Sequence, residues 1–273
     1  MRQVYDVAVR WVALLMLVAC GRVGFDARGV GASDASLDDA ALGDATMTDG
    51  MFTQDDCTEP GLLLYLAFDE TDGAIALDSS GNGYHGALEG FTATTRVPGK
   101  KGNALHFDGV DDSVVIGEPD ALDDIGAMTT CAWVLRDAEG TTYETIIDKS
   151  FDGYSEGWNF YLRPDGGPGF YTNYDAYAEV GPVPLGDWRF VCGSWDGASG
   201  STGIRLYRDA VSPLVVRLGL GMAFASDAAH PMTIGRGAAG GYELFGTLDE
   251  VRIYDHVLSE PAIAALFACT QAP

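Results

Sequence analysis

Glu144 and Asp148 stand four residues apart in the short apolar segment Glu144-Thr-Ile-Ile-Asp148. On a regular β-strand that spacing puts both carboxylates on one face, where two acids can serve a glycosidic bond as proton donor and nucleophile. Thr145 to Ile147 leave no third acid between them, and such a pair arises often by chance. A second reactive-looking pattern, Gly153-Tyr-Ser155-Glu-Gly157, matches Gly-x-Ser-x-Gly. A nucleophile elbow needs a strand before the serine and a helix after it, whereas Trp158-Asn-Phe-Tyr-Leu162 reads as a strand, so a hairpin turn is expected. His85, His106, His230 and His256 are scattered without metal-ligand spacing, which argues against a zinc site.

A different chemistry is concentrated between Tyr154 and Tyr177. This stretch holds Tyr154, Trp158, Phe160, Tyr161, Phe170, Tyr171, Tyr174 and Tyr177 among Asn159, Asn173 and several Asp and Gly. Aromatic faces stack on sugar rings while amides and carboxylates bond hydroxyls, so the mixture suits a saccharide. With a two-residue period Trp158, Phe160 and Leu162 point to a core and Asn159 and Tyr161 away from it. Tyr154, Tyr171, Asn173, Tyr174 and Tyr177 are therefore the candidate ligand contacts, Tyr171, Asn173, Tyr174 and Tyr177 being the more exposed.

The elements that must position these groups are β-strands. From Gly61 onward short apolar or alternating runs are separated by Gly, Asp, Asn and Pro, the signal of an all-β sandwich. Strands are predicted over residues 62–68, 104–107, 113–116, 128–135, 144–148, 158–162, 169–172, 188–195, 204–208, 214–218, 232–234 and 245–254. Only the tail looks helical: Ser259 can cap a turn with Glu260 and Pro261 in its first positions, leading into residues 262–267. At about 215 residues with no second linker, one domain from residue 57 to 273 is expected.

Two predicted strands each carry a cysteine, Cys131 beside Trp133 and Leu135, and Cys192 beside Phe190, with both thiols directed to a core. With Cys57 and Cys269 they allow three connectivities. Cys57 and Cys269 lie just outside the first and last strands, which favours Cys57–Cys269 and Cys131–Cys192, and with them an oxidising compartment.

The N-terminus agrees with that compartment. Arg2 and Arg10 precede Trp11-Val-Ala-Leu-Leu-Met-Leu-Val-Ala19, an apolar run too short to span a bilayer, as in a signal peptide. Leu17-Val18-Ala19-Cys20 resembles the lipobox of bacterial lipoproteins, which implies a signal peptide over 1–19, acylation of Cys20, and, with Gly21 following, the outer membrane. The chain of 273 residues carries 16 basic and 40 acidic side chains; without residues 1–19 these become 14 and 39, a net charge of −25. That charge disfavours nucleic acid and anionic lipid, leaving the acyl chains as the membrane contact. Residues 20–56, rich in Asp, Ala, Gly and Thr, read as a disordered acidic tether.

Five blocks, in order, then carry a family resemblance: Phe68-Asp69-Glu70 through Asp78-Ser-Ser-Gly81-Asn82-Gly83-Tyr-His85-Gly86; Ala104-Leu-His-Phe107-Asp108-Gly109-Val-Asp-Asp112-Ser-Val114; Cys131-Ala-Trp133-Val134; Trp188-Arg-Phe-Val-Cys-Gly-Ser-Trp195-Asp196-Gly197; and Phe245 through Asp249-Glu250-Val251-Arg252-Ile253-Tyr254 to Ser259. Across 61–268 the chain resembles LamG-like jellyroll domains of the concanavalin A-like lectin/glucanase superfamily. The cysteine strands are also similar to the disulfide-bonded strands of pentraxins, which implies the Cys131–Cys192 pairing. The resemblance implies an all-β jellyroll of two antiparallel sheets with a short C-terminal helix. It further implies one structural Ca²⁺ near the first and last strands, held by Asp249 with Asp69 or Asp78 and backbone carbonyls. Relatives that cleave β-glucans carry Glu-x-Asp-x-Glu on one strand, and its lack here leads to the expectation of no enzyme and no catalytic residue. The combined expectation is a lipid-anchored envelope protein binding polysaccharide or a cell-surface protein, with a non-lectin adhesive or structural protein–protein interaction module as the alternative and a glycoside hydrolase as a more distant one.

Overall fold

The computed structural model describes residues 57–92, 95–117, 120–151, 156–172, 176–179, 181–197, 203–211 and 225–271. The signal segment and tether, and the predicted strand at 214–218, lie outside them. In chain order the strands are β1 (Leu62–Leu66), β2 (Ile75–Ala76), β3 (Gly86–Glu89), β4 (Arg96–Pro98), β5 (Asn103–Asp108), β6 (Ser113–Gly117), β7 (Met128–Arg136), β8 (Glu144–Phe151), β9 (Glu156–Leu162), β10 (Pro168–Thr172), β11 (Ala176–Glu179), β12 (Arg189–Trp195), β13 (Arg205–Arg208), β14 (Met232–Ile234) and β15 (Phe245–Tyr254). A single helix, α1 (Glu260–Thr270), follows. Among the described residues no helix is long and apolar enough to cross a membrane.

The strands form two antiparallel sheets. One has seven strands in the order β13-β12-β7-β15-β5-β4, with β1 also paired to β15; the other has eight, in the order β11-β10-β9-β8-β14-β6-β3-β2. The all-β jellyroll sandwich with a short C-terminal helix is therefore present. Alternating side chains from both sheets build the main core: Ala132 and Val134 of β7, Val191 and Trp195 of β12, and Leu248, Val251 and Ile253 of β15 meet Ile147, Trp158, Phe160, Phe170 and Ile234. Gly193 of β12 makes room for this approach, since a Cβ there would lie 2.9 Å from the ring of Phe170 on the opposite sheet. Trp158, Phe160 and Leu162 point inward as their period predicts.

The seven-stranded sheet is buried on its second face too. Cys131, Trp133, Phe190, Cys192, Tyr207 and Tyr254 project away from the sandwich and form a separate apolar cluster with Ile263 and Leu266 of α1. The core expected for the two thiols is thus this second one, beneath the helix. Cys131 and Cys192 face each other across β7 and β12, Cα atoms 4.1 Å apart, and are bonded. Cys57 and Cys269, Cα atoms 5.7 Å apart, form the other disulfide and tie the N-terminal end of the domain to the last turn of α1. Ser259 caps the helix by accepting from Ala262 N at 3.2 Å, and Trp133 Nε1 donates to Thr270 Oγ1 at 2.8 Å. In the loop-entropy picture the bridges, closing 61 and 212 residues, contribute roughly 4 and 5 kcal/mol.

Strand β15 carries the charge hidden in this framework. Its register slips between Asp249, opposite Trp133, and Arg252, opposite Cys131, and Glu250 sits at φ +55° in the resulting bulge. The bulge lets Glu250 fold back on Arg252: Nη2 of the arginine donates to Oε2 at 2.6 Å, while the Tyr65 hydroxyl donates to Oε1 at 2.8 Å. The Arg252 guanidinium also lies 3.9 Å over the Tyr65 ring. All three side chains are buried, and each charge has a partner.

A second buried cation holds the far end of the sandwich. Lys149 Nζ donates to the carbonyls of Asp227 at 3.0 Å and His230 at 2.9 Å and pairs with Asp123 at 2.7 Å. It thereby ties the segment leading into β14 to β8.

Three buried acids pull stability in one direction with pH. Burial pushes Asp249 up to about 7, Glu144 up to about 7 and Asp148 up to about 6. Between the unfolded carboxylate range near 4 and these values the native state binds more protons than the unfolded chain, so stability is highest at the acid end and falls as pH rises. Thermal unfolding in chelator should show a midpoint several degrees lower at pH 7.5 than at pH 4.5. Asp249→Asn should flatten that slope, and an equal slope in wild type and variant would refute the assignment. Replacing Cys57 and Cys269 together by Ser should cost about 2–5 kcal/mol in urea unfolding.

Candidate functional site

The outward face of the eight-stranded sheet is polar where the inward face is apolar. Its cross-strand register aligns Glu89 with Ser113, Val115 with Thr233, Thr233 with Asp148, Asp148 with Asn159, and Asn159 with Tyr171. These residues come from six adjacent strands, β3, β6, β14, β8, β9 and β10, so one rigid surface positions them. A segment from Arg236 to Glu243 lies over part of it. Gly237 N donates to Gly241 O at 2.9 Å, Gly240 N to Gly237 O at 2.8 Å, and Ala238 N to Asp148 Oδ2 at 2.8 Å. The Asp148 carboxylate therefore pins this loop to the sheet. Ser150 and the Asn159 amide hold the same carboxylate, yet burial dominates and raises its pKa to about 6.

Beside the pinned loop an open groove of about 370 Å³ remains. Glu89, Ser113, Val115 and Thr233 form its floor, Pro231 one end, and Arg236 through Gly240 its wall. Arg236 is held by Glu243, Nε to Oε1 at 3.5 Å. Hydroxyls, one guanidinium and one carboxylate thus line a concave surface, a donor and acceptor set that can bond several hydroxyls at once.

The candidate acid pair is split. The register of β8 slips between Thr145 and Ile147, so Glu144 stands opposite Leu162 and Asp148 opposite Asn159, residues on opposite faces of β9. Glu144 is buried away from the groove, beside Arg136, with Oε2 lacking a hydrogen-bond partner. The histidines are also apart: His106 meets Asp137, His230 meets Glu156, His256 meets Asp255, and His85 Nδ1 accepts from Asp78 N.

Of the aromatic ligand candidates, Tyr154, Asn173 and Tyr174 lie outside the described residues, and Tyr177 is placed only by its backbone, opposite Tyr171 on β11. The expected exposure of Tyr171 is corrected: it is 8 % exposed, its ring 5.8 Å from Tyr161 and its hydroxyl 3.5 Å from Ser150 Oγ. Alternation put it on the correct face, but neighbouring rings fill that part of the sheet.

The acids expected to share an ion are each engaged by backbone amides. Asp78 accepts four hydrogen bonds, from Tyr65 N, Ser80 N, Ser80 Oγ and Tyr84 N, and so anchors its own loop with a pKa that these bonds lower despite burial. Asp69 accepts from Asn103 N, and Asp249 from Lys101 N, so both grip the turn at residues 99–103. Among the described residues one group of three acidic side chains, Asp108, Asp111 and Asp112, has ligand oxygens within 4.8 Å of one another. The turn Asp108-Gly109-Val-Asp-Asp112 belonged to the blocks carrying the family resemblance, but as a turn; its three acids at i, i+3 and i+4 were the signal available.

Comparison with curated proteins finds no match. Among solved structures the chain is similar to domain 4 of AbnA, a GH43 extracellular arabinanase from Geobacillus stearothermophilus in complex with arabinotriose, with 20 % identity and a TM-score of 0.55 over 75 % of this chain and 97 % of that one. It is similar to the Trypanosoma rangeli sialidase in complex with the inhibitor DANA at 16 % identity and a TM-score of 0.56, over 77 % of this chain and 33 % of that one. The binding domain of Paraclostridial Mosquitocidal Protein 1 matches at 16 % identity and a TM-score of 0.54, over 78 % of this chain and 52 % of that one. The chain thus spans a third of the sialidase and half of the toxin domain. These likenesses correct the expectation of no enzyme: chains sharing this fold include sialidases and part of an arabinanase, so the fold does not separate this protein from glycosidases. The model of the concanavalin A-like lectin/glucanases superfamily matches residues 108–264, and the chain belongs to that superfamily.

Proposed function

We propose that this protein binds polysaccharide in the groove on the outward face of the eight-stranded sheet. The observation that carries the reading is the convergence there of Glu89, Ser113, Thr233 and Arg236 beside the pinned loop. A sugar offers hydroxyls that both donate and accept, which such a mixed lining can match in a way an apolar pocket cannot. The arabinotriose held by the similar arabinanase domain supports a saccharide as the ligand class. The tyrosines at 154, 174 and 177, with Asn173, are proposed as further ligand contacts.

The proposed setting is the bacterial outer membrane, with acyl chains on Cys20 and residues 20–56 as spacer. Two signals in the sequence support it, the apolar leader and the Leu17-Val18-Ala19-Cys20 pattern. Palmitate labelling that persists in a Cys20→Ala variant would remove this part of the reading.

A glycan array, followed by titration of the strongest oligosaccharide, tests the groove. Arg236→Ala should weaken binding roughly 10-fold or more, as expected for the loss of a charge-assisted hydrogen bond. Asp148→Ala should weaken it as well, by releasing the loop at Ala238. Unchanged affinity in both variants would sink the assignment, and release of reducing sugar in the same samples would make the groove a catalytic one.

A further inference from the structure

We propose that Asp108, Asp111 and Asp112 bind a Ca²⁺ ion that orders the rim of the groove; the metal site stands by itself, and its link to the ligand rests on the reading of the groove above. The three side chains close the turn between β5 and β6, and their ligand oxygens lie within 4.8 Å of one another. An independent observation points to a ligand. Asp112 is only 2 % exposed, yet its Oδ1 has no hydrogen-bond partner; Oδ2 alone is used, accepting from Asp108 N at 2.9 Å. A buried carboxylate oxygen without a donor costs free energy that a cation recovers directly. Asp108 and Asp111 are exposed, so they can meet the same ion while water completes its shell. Hard carboxylate oxygens and an irregular, partly hydrated shell suit Ca²⁺ better than Mg²⁺, which demands a near-ideal octahedron.

The coupling to the groove is one residue long. Ser113 follows Asp112 directly, pairs with Glu89 across β6 and β3, and both line the groove. Gly90, next after Glu89, packs so closely on the backbone of Asp111 that a Cβ there would collide with the Asp111 carbonyl. An ion gathering the three acids therefore holds both floor residues through the backbone.

Titrating Ca²⁺ calorimetrically into the chelator-treated full chain tests this. One site is expected whose affinity falls at least 10-fold in Asp111→Asn and in Asp112→Asn and is unchanged in Asp249→Asn. Hydrogen exchange at residues 86–90 and 108–113 should slow on adding Ca²⁺ to wild type and not to Asp111→Asn. Because Asp111 is exposed, its variant keeps the test decisive even if Asp112→Asn does not fold. Overturning results are no site in wild type, affinity unchanged in Asp111→Asn, or loss in Asp249→Asn instead. If the ion binds as described but no oligosaccharide does, the metal site holds and the groove reading fails.

Discussion

Strand β7 is buried along nearly its whole length on both faces, and the rest of the fold answers that constraint. A strand at the edge of a sandwich or facing water on one side alternates apolar and polar residues; β7 reads Met-Thr-Thr-Cys-Ala-Trp-Val-Leu-Arg and leaves nothing for solvent. One face, through Ala132 and Val134, joins the sandwich core. The other, through Cys131 and Trp133, requires a lid, and α1 is that lid. The Cys57–Cys269 bridge and the Trp133–Thr270 hydrogen bond hold it down at its far end, while the Ser259 cap starts it at the near end.

The two sheets divide the labour. Disulfides, the helix and the Tyr65–Glu250–Arg252 network all belong to the seven-stranded sheet, whose outer face is sealed. That leaves the outer face of the eight-stranded sheet for recognition. There the backbone is held rigidly by pairing, and in the proposed reading specificity falls to the loop at Arg236 to Glu243 and the turn at Asp108 to Asp112. The bulge in β8 is the small irregularity with the largest effect on chemistry. By inserting one residue it turns Glu144 away and leaves Asp148 as the anchor of the loop wall.

Much of the framework was legible from residue patterns. Runs such as 128–135, 188–195 and 245–254 are apolar, β-branched or aromatic and long enough to announce themselves, and each is a strand within a residue or so of its expected bounds. Strands β2, β3, β4 and β11 were missed because they are only two to four residues long, too short to establish a period. The expected cation ligands were drawn from the family resemblance and are engaged by backbone amides, Asp69 and Asp249 at the turn of residues 99–103 and Asp78 in its own loop, whereas Asp108, Asp111 and Asp112 are neighbours in one turn. Similarly, the aromatic count did not show that Tyr171 is covered, since whether a ring is free depends on its neighbours across strands.

The sequence by itself determined the class of fold, the order of its principal strands and the helical tail, because those follow from local periodicity and capping, while it left three cysteine connectivities open and favoured the one that the structure shows. Tertiary structure alone decided which face of each sheet is sealed, that the Cys131–Cys192 bridge lies under the helix, that Glu144 and Asp148 part company, and that a groove opens beside Arg236. The physical reason is register. A shift of one residue at a bulge reverses every side chain beyond it, and nothing in the local pattern of β8 or β15 marks where that shift must occur.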